Sequence, residues 1–243
     1  VRGFLADSRS RCTAETTINR LCILHAFFRW CRLDDDPTVG IRIARPRPEP
    51  KQPYTLAELR RLVAACKTPR NRAIVLLLVA TGMRLGELVG LRAEHIDWEA
   101  GLLRVEGKGQ RRRWVAPGRA AMDALRLYTG GPMALRDGPV WYGRGGHQLT
   151  REGVYQIVRA AGVRAGVRKA FVHRFRTTWA NEFLNETHDP DAAQVLLGHA
   201  LLAQTLLYGQ WNRAERALEQ ARAHSLGDRI AGSSAQLEHN FRA

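Results

Sequence analysis

The chain has 243 residues, 45% hydrophobic and 25% charged, an ordinary globular composition long enough for one large domain or two modest ones. Its 38 Lys and Arg against 23 Asp and Glu leave a formal net charge of +15. A surplus of that size suits a polyanion, most simply nucleic acid, whose binding neutralises phosphates and releases counterions; an arginine bias that only raises solubility is the competing reading. The longest aliphatic run, "AIVLLLVA" at 73–80, is far too short to span a bilayer, nothing ahead of it reads as a signal peptide, and no membrane partner is expected. Cys12, Cys22, Cys31 and Cys66 form no C-x-x-C pair and no regular spacing with histidines, and read as reduced, mostly buried thiols, so a zinc site is not expected.

In chain order, the sequence reads as helix already under way at Val1, as in a piece of a longer chain. Residues 16–33, "TTINRLCILHAFFRWCRL", set Ile18, Leu21, Leu24, Phe27, Phe28 and Cys31 on one helical stripe and predict a packing helix. "DDDP" at 34–37 might be taken for a metal-binding carboxylate cluster, but adjacent aspartates do not all point one way, and a turn between helices explains them better. Pro46, Pro48, Pro50 and Pro53 then exclude helix and predict an extended linker, made basic by Arg45, Arg47 and Lys51 and expected to cross or touch nucleic acid. Thr55 and Glu58 carry the spacing of a capping box and open a helix to about Cys66. Further helices are predicted over 70–80, through about Leu91, and over 119–128, 150–161, 173–186, 190–197 and 201–208. Between them, "GLLRVEGKGQRRRWVAP" predicts a β-hairpin turning at Gly107-Lys108-Gly109-Gln110. Trp211, Ala214, Leu218 and Ala221 predict a last amphipathic helix, followed by a flexible tail.

Four local signals bear on chemistry. Arg84 and Glu87, three apart at a helix start in "ATGMRLGELVGLR", have neighbouring side chains, although such pairs are commonplace on surfaces. Lys108 lies between two glycines at the hairpin tip and is followed by Arg111, Arg112 and Arg113; glycines let a turn approach a ligand backbone, and a solvated basic turn is the plain alternative. In "HRFR", His173 and Arg176 share a face in the first turn of a helix, where an anion is favoured and both can donate to phosphate oxygens. In "LLGHALLAQTLLYGQW", His199 and Tyr208 stand nine residues apart, on opposite faces of any continuous helix. If they serve one site the chain must bend between them, which Gly198 permits.

The ordered set of R-x-x-E after Thr-Gly, a G-K-G hairpin, H-x-x-R, and L-G-H with a tyrosine nine further on resembles the tyrosine recombinase, or phage integrase, family over roughly residues 16–225. Phe175 stands where the family more often shows leucine. The resemblance implies a mainly α fold with a small β-hairpin or sheet (α+β): a partial helical core-binding domain over 1–45, the linker over 46–53, a catalytic domain over 54–226 and the tail over 227–243. It implies cutting and rejoining of double-stranded DNA through a 3′-phosphotyrosyl link, for integration or excision of a mobile element. Neither metal nor cofactor is required. Tyr208 would be the nucleophile, Arg84 and Arg176 would hold the non-bridging oxygens, and His173 would assist deprotonation. Lys108 would protonate the leaving 5′-oxygen, His199 would donate to the phosphate, and Glu87 would support the arrangement. Arg45, Arg47, Lys51, Arg111, Arg112 and Arg113 are expected on DNA. The resemblance further implies a protein that is monomeric when free, forms a homo-tetramer on two duplexes, and works in the bacterial cytoplasm or nucleoid. A catalytically silent DNA-binding relative and a type IB topoisomerase-like enzyme are the alternatives.

Overall fold

One helix is apolar on every side beyond its first turn, and that part is largely buried. Residues Pro69–Thr81 form it, capped by the Thr68 side chain with Pro69 at its first position, and Ala73, Ile74, Val75, Leu77 and Leu78 are fully shielded from solvent. Burying each of its larger aliphatic side chains stabilises the fold by about 1.5–3 kcal/mol. The computed structural model describes residues 1–32, 35–44, 52–107, 112–198 and 205. The chain divides into two compact units, Val1–Glu49 and Pro50–Ala243.

The first unit pairs α1 (Arg2–Arg11) with α2 (Ala14–Cys31). Leu5 and Leu21 are buried, and the Ser8 and Thr17 hydroxyls meet at 3.2 Å, with Arg20 Nη1 donating to Ser8 Oγ at 2.9 Å. The expected stripe on α2 is only partly inward. Leu21 is buried and Ile18, Leu24, Phe28 and Cys31 are half-buried, but Phe27 is 51% exposed and stacks edge-on to Phe28. The cysteines are free as expected but not buried: Cys22 is exposed and the other three are half-buried. In the expected turn, Asp36 accepts from the backbone N–H and hydroxyl of Thr38 at 2.8 and 2.6 Å, which holds its carboxyl below the usual range.

The second unit contains α3 (Leu56–Ala64), α4 (the buried helix Pro69–Thr81), α5 (Leu85–Val89), β1 (Ile96–Asp97), β2 (Leu102–Glu106), β3 (Arg112–Val115), α6 (Gly118–Thr129), α7 (Arg151–Arg164), α8 (Val172–Thr187) and α9 (Pro190–Leu197). It is mostly helical, with a three-stranded antiparallel sheet in the order β1-β2-β3. The hairpin pairs Leu103 with Val115, Arg104 with Trp114, Val105 with Arg113 and Glu106 with Arg112. β1 is an addition to the two expected strands and pairs with β2. The expected capping box is present: Thr55 Oγ1 accepts from the Glu58 N–H, and Glu58 accepts from the Thr55 N–H.

α4 packs against α6, α8 and α3, while α9 packs on α8 and β3. The N-terminus of α5, the N-terminus of α8 and the C-terminus of α9 are thus carried by elements packed on one core. The linker over 45–51, the hairpin tip over 108–111, and the expected helices beyond Leu197 lie outside the described residues, apart from Thr205, which is helical and buried.

Candidate active site

The last turn of any helix leaves carbonyl oxygens without partners inside the helix. At the end of α9 these oxygens are met by three arginines from three other elements. Arg113 Nε donates to Leu196 O at 2.7 Å, Arg84 Nη1 and Arg176 Nη2 both donate to Leu197 O at 3.1 and 2.7 Å, and Arg84 Nη2 donates to Gly198 O at 3.1 Å. Cations also complement the negative end of the helix dipole. Gly198 ends α9 with φ +64°, the left-handed conformation that favours glycine, while the expected bend between His199 and Tyr208 lies outside the described residues.

Each arginine is placed by its own local structure. Arg84 is the N-cap of α5, and Glu87, three residues on, reaches back to accept from its N–H at 2.7 Å. Arg176 lies on α8 at 2% exposure, with Nη1 donating at 2.9 Å to the carbonyl of Gly82, the left-handed residue that closes α4. The guanidinium fork thereby spans the ends of α4 and α9. His173, one turn earlier on α8, is exposed. Arg84 keeps 40% of its side chain exposed and remains accessible to an anion.

Glu87 is nearly inaccessible, yet all its acceptor directions are used. Oε1 accepts from Arg84 Nη1 at 3.0 Å and Arg113 Nη1 at 2.7 Å; Oε2 accepts from the Arg84 N–H at 2.7 Å and Arg113 Nη2 at 2.8 Å. Burial pushes its carboxyl up, but the Arg113 fork and Arg84 outweigh burial and hold it below the usual carboxylate range.

Of the expected site residues, the structure brings Arg84, Glu87 and Arg176 together around Leu197, with His173 on the same helix as Arg176. Arg113 departs from the expectation that it lies on DNA with Arg111 and Arg112. Its side chain is 11% exposed and committed to Glu87 and Leu196, because successive residues of a strand face opposite ways. Arg112 does point outward, 63% exposed, and pairs with Glu106 at 2.9 Å. Arg45, Arg47, Lys51, Lys108, Arg111, His199 and Tyr208 lie outside the described residues. Sequence reasoning missed Arg113 as a site organiser and missed the α9 carbonyls altogether; period-two alternation in β3 is the signal that would have found the first. Among the described residues, no group of three or more His, Cys, Asp and Glu could hold a metal ion, and no helix is long and apolar enough to cross a membrane.

Residues 54–215 match the model of the phage integrase family. The chain is 36% identical to tyrosine recombinase XerC of Pseudomonas aeruginosa (strain LESB58), over 92% of this chain and 78% of that protein. It is 31% identical to the XerC of Lactobacillus delbrueckii subsp. bulgaricus (strain ATCC BAA-365 / Lb-18), over 84% of this chain and 75% of that one. Among solved structures, the XerH site-specific recombinase bound to difH substrate superposes with TM-score 0.73 at 22% identity, covering 92% of this chain and 69% of that one. The Tn1549 transposon integrase in complex with transposon right end DNA gives 0.71 at 16% identity, covering 92% and 84%.

Proposed function

The chain belongs to the phage integrase family of tyrosine recombinases, and on that footing we propose that Arg84, Glu87, His173 and Arg176, with Lys108, His199 and Tyr208, form its strand-cleaving site. The enzyme is a site-specific DNA recombinase. One observation carries the assignment of residues: Arg84 and Arg176, from the two separate motifs, converge on the single carbonyl oxygen of Leu197, two residues before His199.

A phosphodiester resists attack because the nucleophile meets an anion and the leaving alkoxide is poor. Side chains can answer both difficulties by fixed positive charge and proton transfer. Guanidinium groups stay charged and donate twice in a plane, which suits the non-bridging oxygens; Arg84 and Arg176 supply that charge. Tyr208 attacks with its phenol oxygen, assisted by His173, and forms the 3′-phosphotyrosyl bond as the 5′-oxygen departs with a proton from Lys108. His199 donates to the phosphate. The covalent link conserves the free energy of the broken bond, so a 5′-hydroxyl from another strand can reseal it. Resealing onto the partner duplex needs both duplexes in one assembly, and a tetramer, with residues 211–225 of each protomer docked on a neighbour, supplies it.

The test is covalent capture on a nicked duplex whose sequence has first been selected by wild-type binding from a randomised pool. The wild-type chain is expected to form an adduct that maps to the peptide containing Tyr208. Tyr208→Phe, which removes one oxygen and keeps the ring, is expected to bind the duplex and form none. An adduct on Tyr54, Tyr128, Tyr142 or Tyr155, or one persisting in the Phe variant, would refute the assignment.

A further inference from the structure

Arg174, the second residue of "HRFR", breaks a local rule. It is the third residue of α8, where a cation opposes the helix dipole, and no side chain caps that helix start. Its side chain is 8% exposed and, two residues before Arg176 on the helix, lies on the opposite side of α8. The guanidinium instead donates to three backbone carbonyls, from Nε to Gln52 O at 3.0 Å, from Nη1 to Arg168 O at 3.2 Å and from Nη2 to Pro53 O at 3.1 Å. Nη2 also meets Glu58 Oε2 at 3.1 Å, and the group lies 4.0 Å from the centroid of the Tyr54 ring.

Tyr54 completes the bracket. Its hydroxyl accepts from the Phe171 N–H at 2.9 Å and donates to Phe171 O at 3.2 Å, so both polar groups of the residue that opens α8 are held by one side chain. Burial pushes that phenol up to about 12, so it stays a donor at neutral pH. The Tyr54 N–H donates to Thr178 Oγ1 at 2.8 Å, which itself donates to Arg174 O at 2.8 Å. Val172 and His173 are the two residues between these anchors.

We propose that Arg174 is a positioning residue for strand cleavage: together with Tyr54 it fixes the first turn of α8 and so the place of the His173 ring, without touching DNA. The inference rests on the recombinase reading given above. Its signature is a loss that passes through His173 and spares binding.

The experiment measures single-turnover adduct formation on the selected nicked duplex, alongside duplex affinity and thermal unfolding, for wild type, Arg174→Met, Arg174→Lys and Tyr54→Phe, each with and without His173→Ala. Arg174→Met is expected to slow adduct formation by at least about tenfold, a scale consistent with small misplacement of a reacting group. Duplex affinity should be unchanged. Arg174→Lys is expected to recover part of the rate. In the His173→Ala background neither Arg174→Met nor Tyr54→Phe should slow the reaction further. Wild-type rates in a folded Arg174→Met, or the full loss repeated without His173, would overturn the proposal. If Arg174→Met does not fold, Arg174→Lys and Tyr54→Phe carry the same comparison with the same two overturning results. If the wild-type chain forms no adduct, the recombinase reading falls and this inference falls with it.

Discussion

Arg113 grips Glu87 through both carboxylate oxygens, at 2.7 and 2.8 Å, and uses its remaining edge on the Leu196 carbonyl at 2.7 Å. One guanidinium from β3 therefore joins the turn carrying Arg84 to the end of α9. Glu87 in turn holds Arg84 by its side chain and its backbone.

Glu87→Gln is expected to destabilise the second unit by about 3–5 kcal/mol, because the Arg113 charge is left uncompensated inside, and Arg113→Met by less, because Glu87 keeps Arg84. Urea unfolding of each single variant and of the double variant checks this. The double variant should be less damaged than the sum of the singles; simple additivity would show that the two residues do not act as a pair.

The same carboxylate sets an acid limit. Its folded-state value lies below the ordinary one, so the stability it confers is present above the unfolded-state value of about 4.3 and is lost as pH falls through the lowered folded value. The stability gap between wild type and Glu87→Gln should hold steady from neutral pH to about pH 5 and narrow below it. A gap that instead widened on acidification would mean that Glu87 is not stabilised as the anion.

Gly198 carries two constraints at once. Its φ is +64°, and a Cβ there would stand 3.0 Å from Arg113 Nη1 and 3.3 Å from Arg113 Cδ. Gly198→Ala is expected to cost about 1–2 kcal/mol from backbone strain alone, with a further loss as Arg113 gives way. Adduct formation should fall with little change in duplex affinity. Unchanged thermal unfolding would show that the bend is relaxed in solution.

Duplex binding should weaken steeply with salt, since the formal charge is +15. Log affinity against log salt should fall by nearly one unit of slope for each phosphate neutralised. Arg112→Ala should flatten that slope, whereas Arg113→Ala should alter it only through misfolding, because one residue points outward and the other inward. Adduct formation should also survive excess chelator, and its complete loss would overturn the metal-free reading.

The paired motifs were legible because their spacing alone makes neighbours on a helix: Arg84 with Glu87, His173 with Arg176. The helices were legible too, from α3 with its Thr55 and Glu58 capping box to α9 over 190–197. Arg113 was not, because "RRR" read as a run of charge looks uniform, whereas a strand sends its members to opposite faces. Leu197 could not be singled out either, since its contribution is a backbone oxygen that every residue possesses; only the fold decides that two arginines meet there. The stripe on α2 shows the reverse error. Phe27 shares the apolar period, but the pairing of α1 with α2 leaves it 51% exposed.

The carbonyl of Gly82 ties Arg176 to the end of α4, the helix with the most completely shielded side chains in the described chain. Backbone amides in such an element open only with the unfolding of the whole unit, whereas residues at exposed ends open by local fraying. Amide exchange should therefore be slowest through the middle of α4. Arg176 is fastened by its fork to the buried end of that helix. Arg84, on the five-residue helix α5, draws its permanence from Glu87 instead. The two cations proposed to hold one phosphate are thus fastened to different parts of the protein.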